Sequence, residues 1–180
     1  MTHPTDMELS RQIRKIADRE RLPDASTVSV LGLAEALRFS QRTGVPLGHI
    51  DRLAERGGVY PRRFLRNFCA LSVEDQQLLG SSRVAVVGLG GLGGVVVEVL
   101  ARSGIGGLTL VDGDRFEESN LNRQLMSTID GLGEPKPAAA ARRVRAVNPA
   151  VDLRIHSGFV DETSVAPLLD DAALVVDCQI

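Results

Sequence analysis

The residues best able to do chemistry lie between Gly88 and Lys136. Gly88, Gly90 and Gly93 stand in a G-x-G-x-x-G pattern, with Gly91 inside it. Such a turn makes a tight bend, lets backbone NH groups reach phosphate oxygens, and brings a helix close to a strand. Asp112 follows at a spacing where a carboxylate can accept hydrogen bonds from ribose hydroxyls. Beyond it come Asp114, Asn120, Arg123, Gln124 and Lys136. Two cations near a glycine turn suit a triphosphate. A nicotinamide dinucleotide needs little here beyond the acid. Taken alone, Arg123 and Lys136 are equally compatible with ordinary surface cations. The combination of turn, acid and flanking elements predicts a bound adenine nucleotide.

These residues need a frame to hold them. Val84–Val87 is a short β-branched run suited to a buried parallel strand. A helix over about 92–102 would aim its N-terminal NH groups at the turn, and Gly104 would stop it. Leu108–Val111 forms the next strand. The connection over 113–133 is long and polar, where a handful of residues would suffice, and long ordered loops at strand ends carry function. Pro135 and Pro137 open a helix to about Val147. Val151–Ile155 alternates as a strand, Asp161 caps a short helix, and Ala173–Val176 is a fourth strand. Alternating strands and helices predict an α/β, Rossmann-like doubly wound parallel sheet.

Residues 1–58 read instead as a small helical region. Met7–Arg19 is one amphipathic helix, broken at Leu22-Pro23-Asp24. Ser26 or Thr27 caps a second, with Val30, Leu33, Ala34 and Leu37 on one face. A third holds Ile50, Leu53 and Ala54 and ends at Gly57-Gly58. The expected division is therefore 1–58 and 59–180. An arginine-rich stretch, Tyr60-Pro61-Arg62-Arg63-Phe64, opens the second part. Ser72 through Asp75 then has the form of a capping box.

Composition narrows the classes. The chain has 180 residues and a formal charge of −2, so it lacks the basic balance of a general nucleic-acid binder. No apolar run approaches the roughly 20 residues of a membrane helix, and the start lacks a signal-peptide pattern. A cytoplasmic protein is expected, with no nucleic-acid or membrane partner. Cys69 and Cys178 form neither a disulfide framework nor a zinc site. His3, His49 and His156 show no ligand spacing, so no metal-binding residue is assigned. Cys69, near an apolar helix, is expected in a core or interface.

The glycine turn, the LTLVDGD strand end, the SNLNRQ segment and GEPK, in that order, resemble the ThiF/MoeB/HesA family of ubiquitin-activating-enzyme-like adenylyltransferases. The resemblance covers about Tyr60 onward. It implies MgATP as co-substrate and the C-terminal glycine carboxylate of a ubiquitin-like sulfur-carrier protein as acceptor. It further implies that the turn of Gly88, Gly90, Gly91 and Gly93 approaches the phosphates, that Asp112 holds the ribose hydroxyls, that Asn120, Arg123 and Lys136 meet the phosphates, and that Asp114 and Gln124 also belong to the cofactor site. Arg62 would be an arginine reaching a neighbouring subunit's active site, acting with Arg123 and Lys136 in catalysis, which implies a homodimer.

The resemblance also marks departures. The family follows the fourth strand with D-C-x-D, whose last acid holds magnesium; here Ile180 stands there, after Asp177-Cys178-Gln179. The second half of the sheet and the carrier groove do not follow, so this stretch is expected to be the ATP-binding half of a larger fold, and activity is expected of the complete fold. Cys178 matches a structural cysteine. Three other readings stay open. A nucleotide-fold assembly module would explain an exposed sheet edge. An NAD-dependent oxidoreductase would use the same turn and Asp112, but leaves Arg123 and Lys136 idle. ATP-dependent dehydration of a modified tRNA base shares the family core.

Overall fold

A computed structural model describes residues 5–22 and 25–179, so the expectations for His3, Pro23, Asp24 and Ile180 lie outside the described residues. The chain divides into two compact units at Gly80/Ser81, further along than the expected division at residue 58.

The first unit runs α1 (Asp6–Ile16), β1 (Asp18–Arg21), β2 (Thr27–Leu31), α2 (Leu33–Thr43), α3 (Leu47–Arg56) and β3 (Val59–Pro61). A 3₁₀ helix (Arg62–Cys69) and α4 (Val73–Ser81) follow. Three helices were expected; the three-stranded sheet was not. Strand β2 pairs antiparallel with β1 and parallel with β3. The expected second helix from Ser26 or Thr27 does not form there. Thr27 to Leu31 alternates and is rich in β-branched residues, which favours an extended chain. Val30 is fully buried in that strand, and α2 starts only after Gly32. Its buried face is Ala36 and Phe39, while Leu33 and Leu37 are exposed. Ser72 and Asp75 do make the reciprocal cap. The Ser72 hydroxyl accepts from Asp75 N at 3.0 Å, and Asp75 accepts from Ser72 N at 3.0 Å.

The second unit is the α/β layer that the sequence predicts. It runs β4 (Arg83–Val87), α5 (Gly91–Ser103), β5 (Gly107–Asp112), α6 (Lys136–Val147), β6 (Asp152–Ser157), α7 (Val165–Leu169) and β7 (Leu174–Asp177). All four strands are parallel, in the order β6-β5-β4-β7. The chain moves outward from β4 to β6, then returns to β4's other side. The carboxyl ends of β4 and β7 therefore flank a topological switch point, where open α/β sheets form their ligand crevice. Val84, Ala85, Val86, Leu108 and Leu110 are buried between the layers. Glu98 of α5 binds Arg102 of its own helix and Arg143 of α6, and Asn148 Nδ2 donates to Ala101 O at 3.0 Å. These contacts lock α5 and α6 together. Strand β7 is mostly exposed, and Leu174 and Val175 face solvent.

Candidate nucleotide site

The glycine turn bends where only glycine fits. Gly88 has φ 87°, in the left-handed region, and its NH donates to Val111 O at 2.8 Å. A Cβ on Gly93 would lie 1.8 Å from the Gly88 carbonyl oxygen. That contact lets the first turn of α5 press against the end of β4. Gly90 caps α5, leaving the helix N-terminus open to the crevice.

Asp112 ends β5 beside this turn. Its carboxylate accepts from Leu89 N at 2.6 Å and from Asp114 N at 2.8 Å. The acid thus fastens the glycine turn to the next loop as well as facing the crevice. The long connection is ordered around its own small core of Phe116 and Met126. Its two ends pair, with Phe116 N donating to Glu134 O and Gly133 N to Phe116 O. Asn120 is buried and accepts from Glu117 N at 3.0 Å, closing a 3₁₀ turn. Arg123 is exposed, and its guanidinium donates to Ser119 O and Asn122 Oδ1. Lys136 opens α6, 6% exposed, with Nζ 2.8 Å from Asp114 Oδ2.

These residues meet in one crevice of about 510 Å³. Gly88, Gly90, Gly91, Asp112, Asp114, Asn120, Arg123, Gln124 and Lys136 all line it. Gly93 instead supports the turn from behind. Gln124 is buried, and its Oε1 has no hydrogen-bond partner, so an acceptor stands idle in the crevice wall. Sequence reasoning missed Leu92, Gly113, Phe159 and Gln179 as lining residues. None carries a spacing or charge signal; only the sheet order brings 113, 159 and 179 to one edge.

Cys178 also lines the crevice but is a poor nucleophile. Burial, with Asp177 beside it, pushes its thiol up. Cys69 is exposed rather than in a core, because the 3₁₀ helix that carries it buries Phe64 instead. Arg62 belongs to the first unit, where its guanidinium binds Asp18 at 3.2 Å and Glu20 at 3.0 Å. Magnesium would need carboxylate oxygens to spare. Asp112 accepts from two NH groups, Asp114 from Lys136, and Asp177 from Gln179 N. No cluster of three metal-ligating side chains occurs among the described residues.

A parallel sheet with a glycine turn, a strand-end acid and two cations at its switch point defines an α/β protein of Rossmann type with a candidate nucleotide crevice. The ThiF family profile matches residues 63–179, and the chain belongs to that family. It is similar to the SAMP-activating enzyme E1 of Haloferax volcanii, 43% identical over 104 residues, covering 58% of this chain and 38% of the relative. It is also similar to the sulfur carrier protein adenylyltransferase of Thermus thermophilus, 38% identical over 104 residues, covering 58% and 38%. Among solved structures, the E. coli tRNA N6-threonylcarbamoyladenosine dehydratase TcdA in complex with ATP aligns with TM-score 0.64 and 33% identity. That alignment covers 66% of this chain and 49% of that one. The matched part is thus about two fifths of the length of these curated relatives. No helix among the described residues is long and apolar enough to cross a membrane.

Proposed function

We propose that this chain supplies the ATP-binding half of an adenylyltransferase that activates the C-terminal glycine carboxylate of a ubiquitin-like sulfur-carrier protein. One observation carries the reading: the glycine turn, Asp112, Arg123 and Lys136 line the same crevice at the switch point. A dehydrogenase would leave the two cations without work. The T. thermophilus relative's name and the ATP complex of TcdA support the reading.

In the proposed reaction the carrier's carboxylate oxygen bonds to the α-phosphorus, and the bond from that phosphorus to the pyrophosphate oxygen breaks. No protein nucleophile is needed. The turn's NH groups and the α5 N-terminus hold phosphate oxygens. Lys136 and Arg123 offset the charge that gathers on the leaving pyrophosphate, so catalysis is positioning plus cation stabilisation. Asp112 accepts from the ribose. Arg62 serves the crevice of a second copy in a cytoplasmic homodimer.

Calorimetric titration with MgATP and, separately, NAD tests the assignment. MgATP binding that weakens about 10-fold or more in an Arg123→Ala, Lys136→Ala double variant is expected. Binding of NAD without ATP would overturn it. The TcdA likeness favours one further reading, ATP-dependent activation of a tRNA base. Pyrophosphate exchange stimulated by tRNA and not by a carrier protein would select that chemistry.

A further inference from the structure

The crevice wall contains an aromatic ring that the triphosphate chemistry does not use. Phe159 lies two residues past the end of β6 and lines the crevice, yet it is 69% exposed. A phenylalanine that open beside a polar cleft leaves a large apolar face in water, and a planar apolar partner would cover it. Its position is fixed, not incidental. Gly158 N donates to Asp112 O at 3.1 Å, tying the Phe159 loop to the strand-end acid. Three carbons of the ring lie only 2.7 Å from where a Cβ on Gly113 would stand. Any residue but glycine at 113 would push the ring away.

The sheet order supplies a direction. Strands β4, β5 and β6 are neighbours, and their carboxyl ends carry Gly88, Asp112 and, past β6, Phe159. Asp112 stands opposite Ser157 in the register, so Phe159 follows that pair directly. Adjacent strands lie about 4.8 Å apart, so the three stations span about 10 Å along the sheet edge. Read outward from the switch point they are a phosphate turn, a ribose acceptor and an aromatic face. This is the order of groups in a nucleoside phosphate.

We infer that Phe159 is the platform on which the nucleotide's base stacks, a positioning residue for the base end of the substrate. The inference rests on the nucleotide reading of the crevice. Stacking of a base on an aromatic side chain is sequence-tolerant, so Phe159 supplies affinity and orientation for the base without selecting which base.

Titration of the full chain and its variants with ATP and with inorganic tripolyphosphate tests it, alongside proton NMR of the adenine H2 and H8 signals. In the wild type these signals should shift upfield on binding, from the ring current of Phe159. Phe159→Ala should weaken ATP by about 5- to 100-fold and leave tripolyphosphate unchanged. Phe159→Leu keeps an apolar cover on Gly113 and should lose the upfield shift, while Phe159→Tyr should keep both shift and affinity. ATP affinity unchanged in Phe159→Ala, or equal weakening of ATP and tripolyphosphate, would overturn the platform alone. A wild type that binds neither ligand would overturn the nucleotide reading and the platform together.

Discussion

Gly93 shows how far a single side chain can matter. Its Cβ would have to occupy space already held by the Gly88 carbonyl oxygen. Gly93→Ala should therefore displace either the glycine turn or the first turn of α5. We expect a loss of about 3 kcal/mol or more in urea unfolding, together with loss of nucleotide binding. Gly44→Ala is a useful contrast. Gly44, unlike Gly93, has a left-handed φ, 71°, but nothing lies within 4 Å of the added methyl. Strain alone, about 1 kcal/mol, should result. The glycine turn was legible in sequence because its demands are local: each glycine answers to atoms a few residues away. Phe159 was not legible, since its role depends on two strands that pair across about 45 residues of chain. Of the two places expected for Cys69, the core is excluded, because an apolar neighbourhood in sequence does not say which face of a short 3₁₀ helix is covered.

Elements carry the effects of charge. Asp51 and Glu55 sit one turn apart on α3, both buried, with Arg63 paired to Asp51. Burial, reinforced by Asp51, pushes Glu55 up from 4.5 to about 7. A raised carboxyl keeps its proton in the folded state after the unfolded chain has released it. Stability of the first unit should then be greatest below about pH 4.5 as far as this group is concerned, and decline as pH rises to about 7. The slope is at most about 1.4 kcal/mol per pH unit for one proton. Urea unfolding followed across this range should show the decline, and Glu55→Gln should flatten it. An unchanged slope in the variant would assign the pH dependence elsewhere. At the other end of the unit, Ser72→Ala removes the hydroxyl that caps α4 and should cost about 1 kcal/mol. That cap was readable from four consecutive residues. Strand β1 was not, because Asp18-Arg19-Glu20-Arg21 has no apolar alternation and becomes a strand only by pairing with β2. Strand β3, three residues long, owes its existence to β2 in the same way.

For the whole molecule, a parallel sheet was foreseeable from alternating strands and helices, but its order β6-β5-β4-β7 was not. The exposed outer side of β7 was foreseeable from the same pattern. Leu174 and Val175 are 57% and 41% exposed there. Apolar strands at an open edge invite pairing with other chains. Val175→Lys should lower concentration-dependent association in sedimentation experiments and leave nucleotide affinity intact. At the crevice, the ion pair between Lys136 and Asp114 has a consequence for how a polyanion enters a molecule whose net charge is −2. The lysine already holds an internal counter-ion, so an arriving phosphate exchanges with Asp114 and adds no new pair. Of the two cations, Arg123, held by neutral acceptors, should then carry most of the dependence of ATP affinity on ionic strength. Asp114→Asn removes the resident anion, and titrations from low to high potassium chloride should then show a steeper loss of binding. The cleft, in effect, comes with its own buffer against salt.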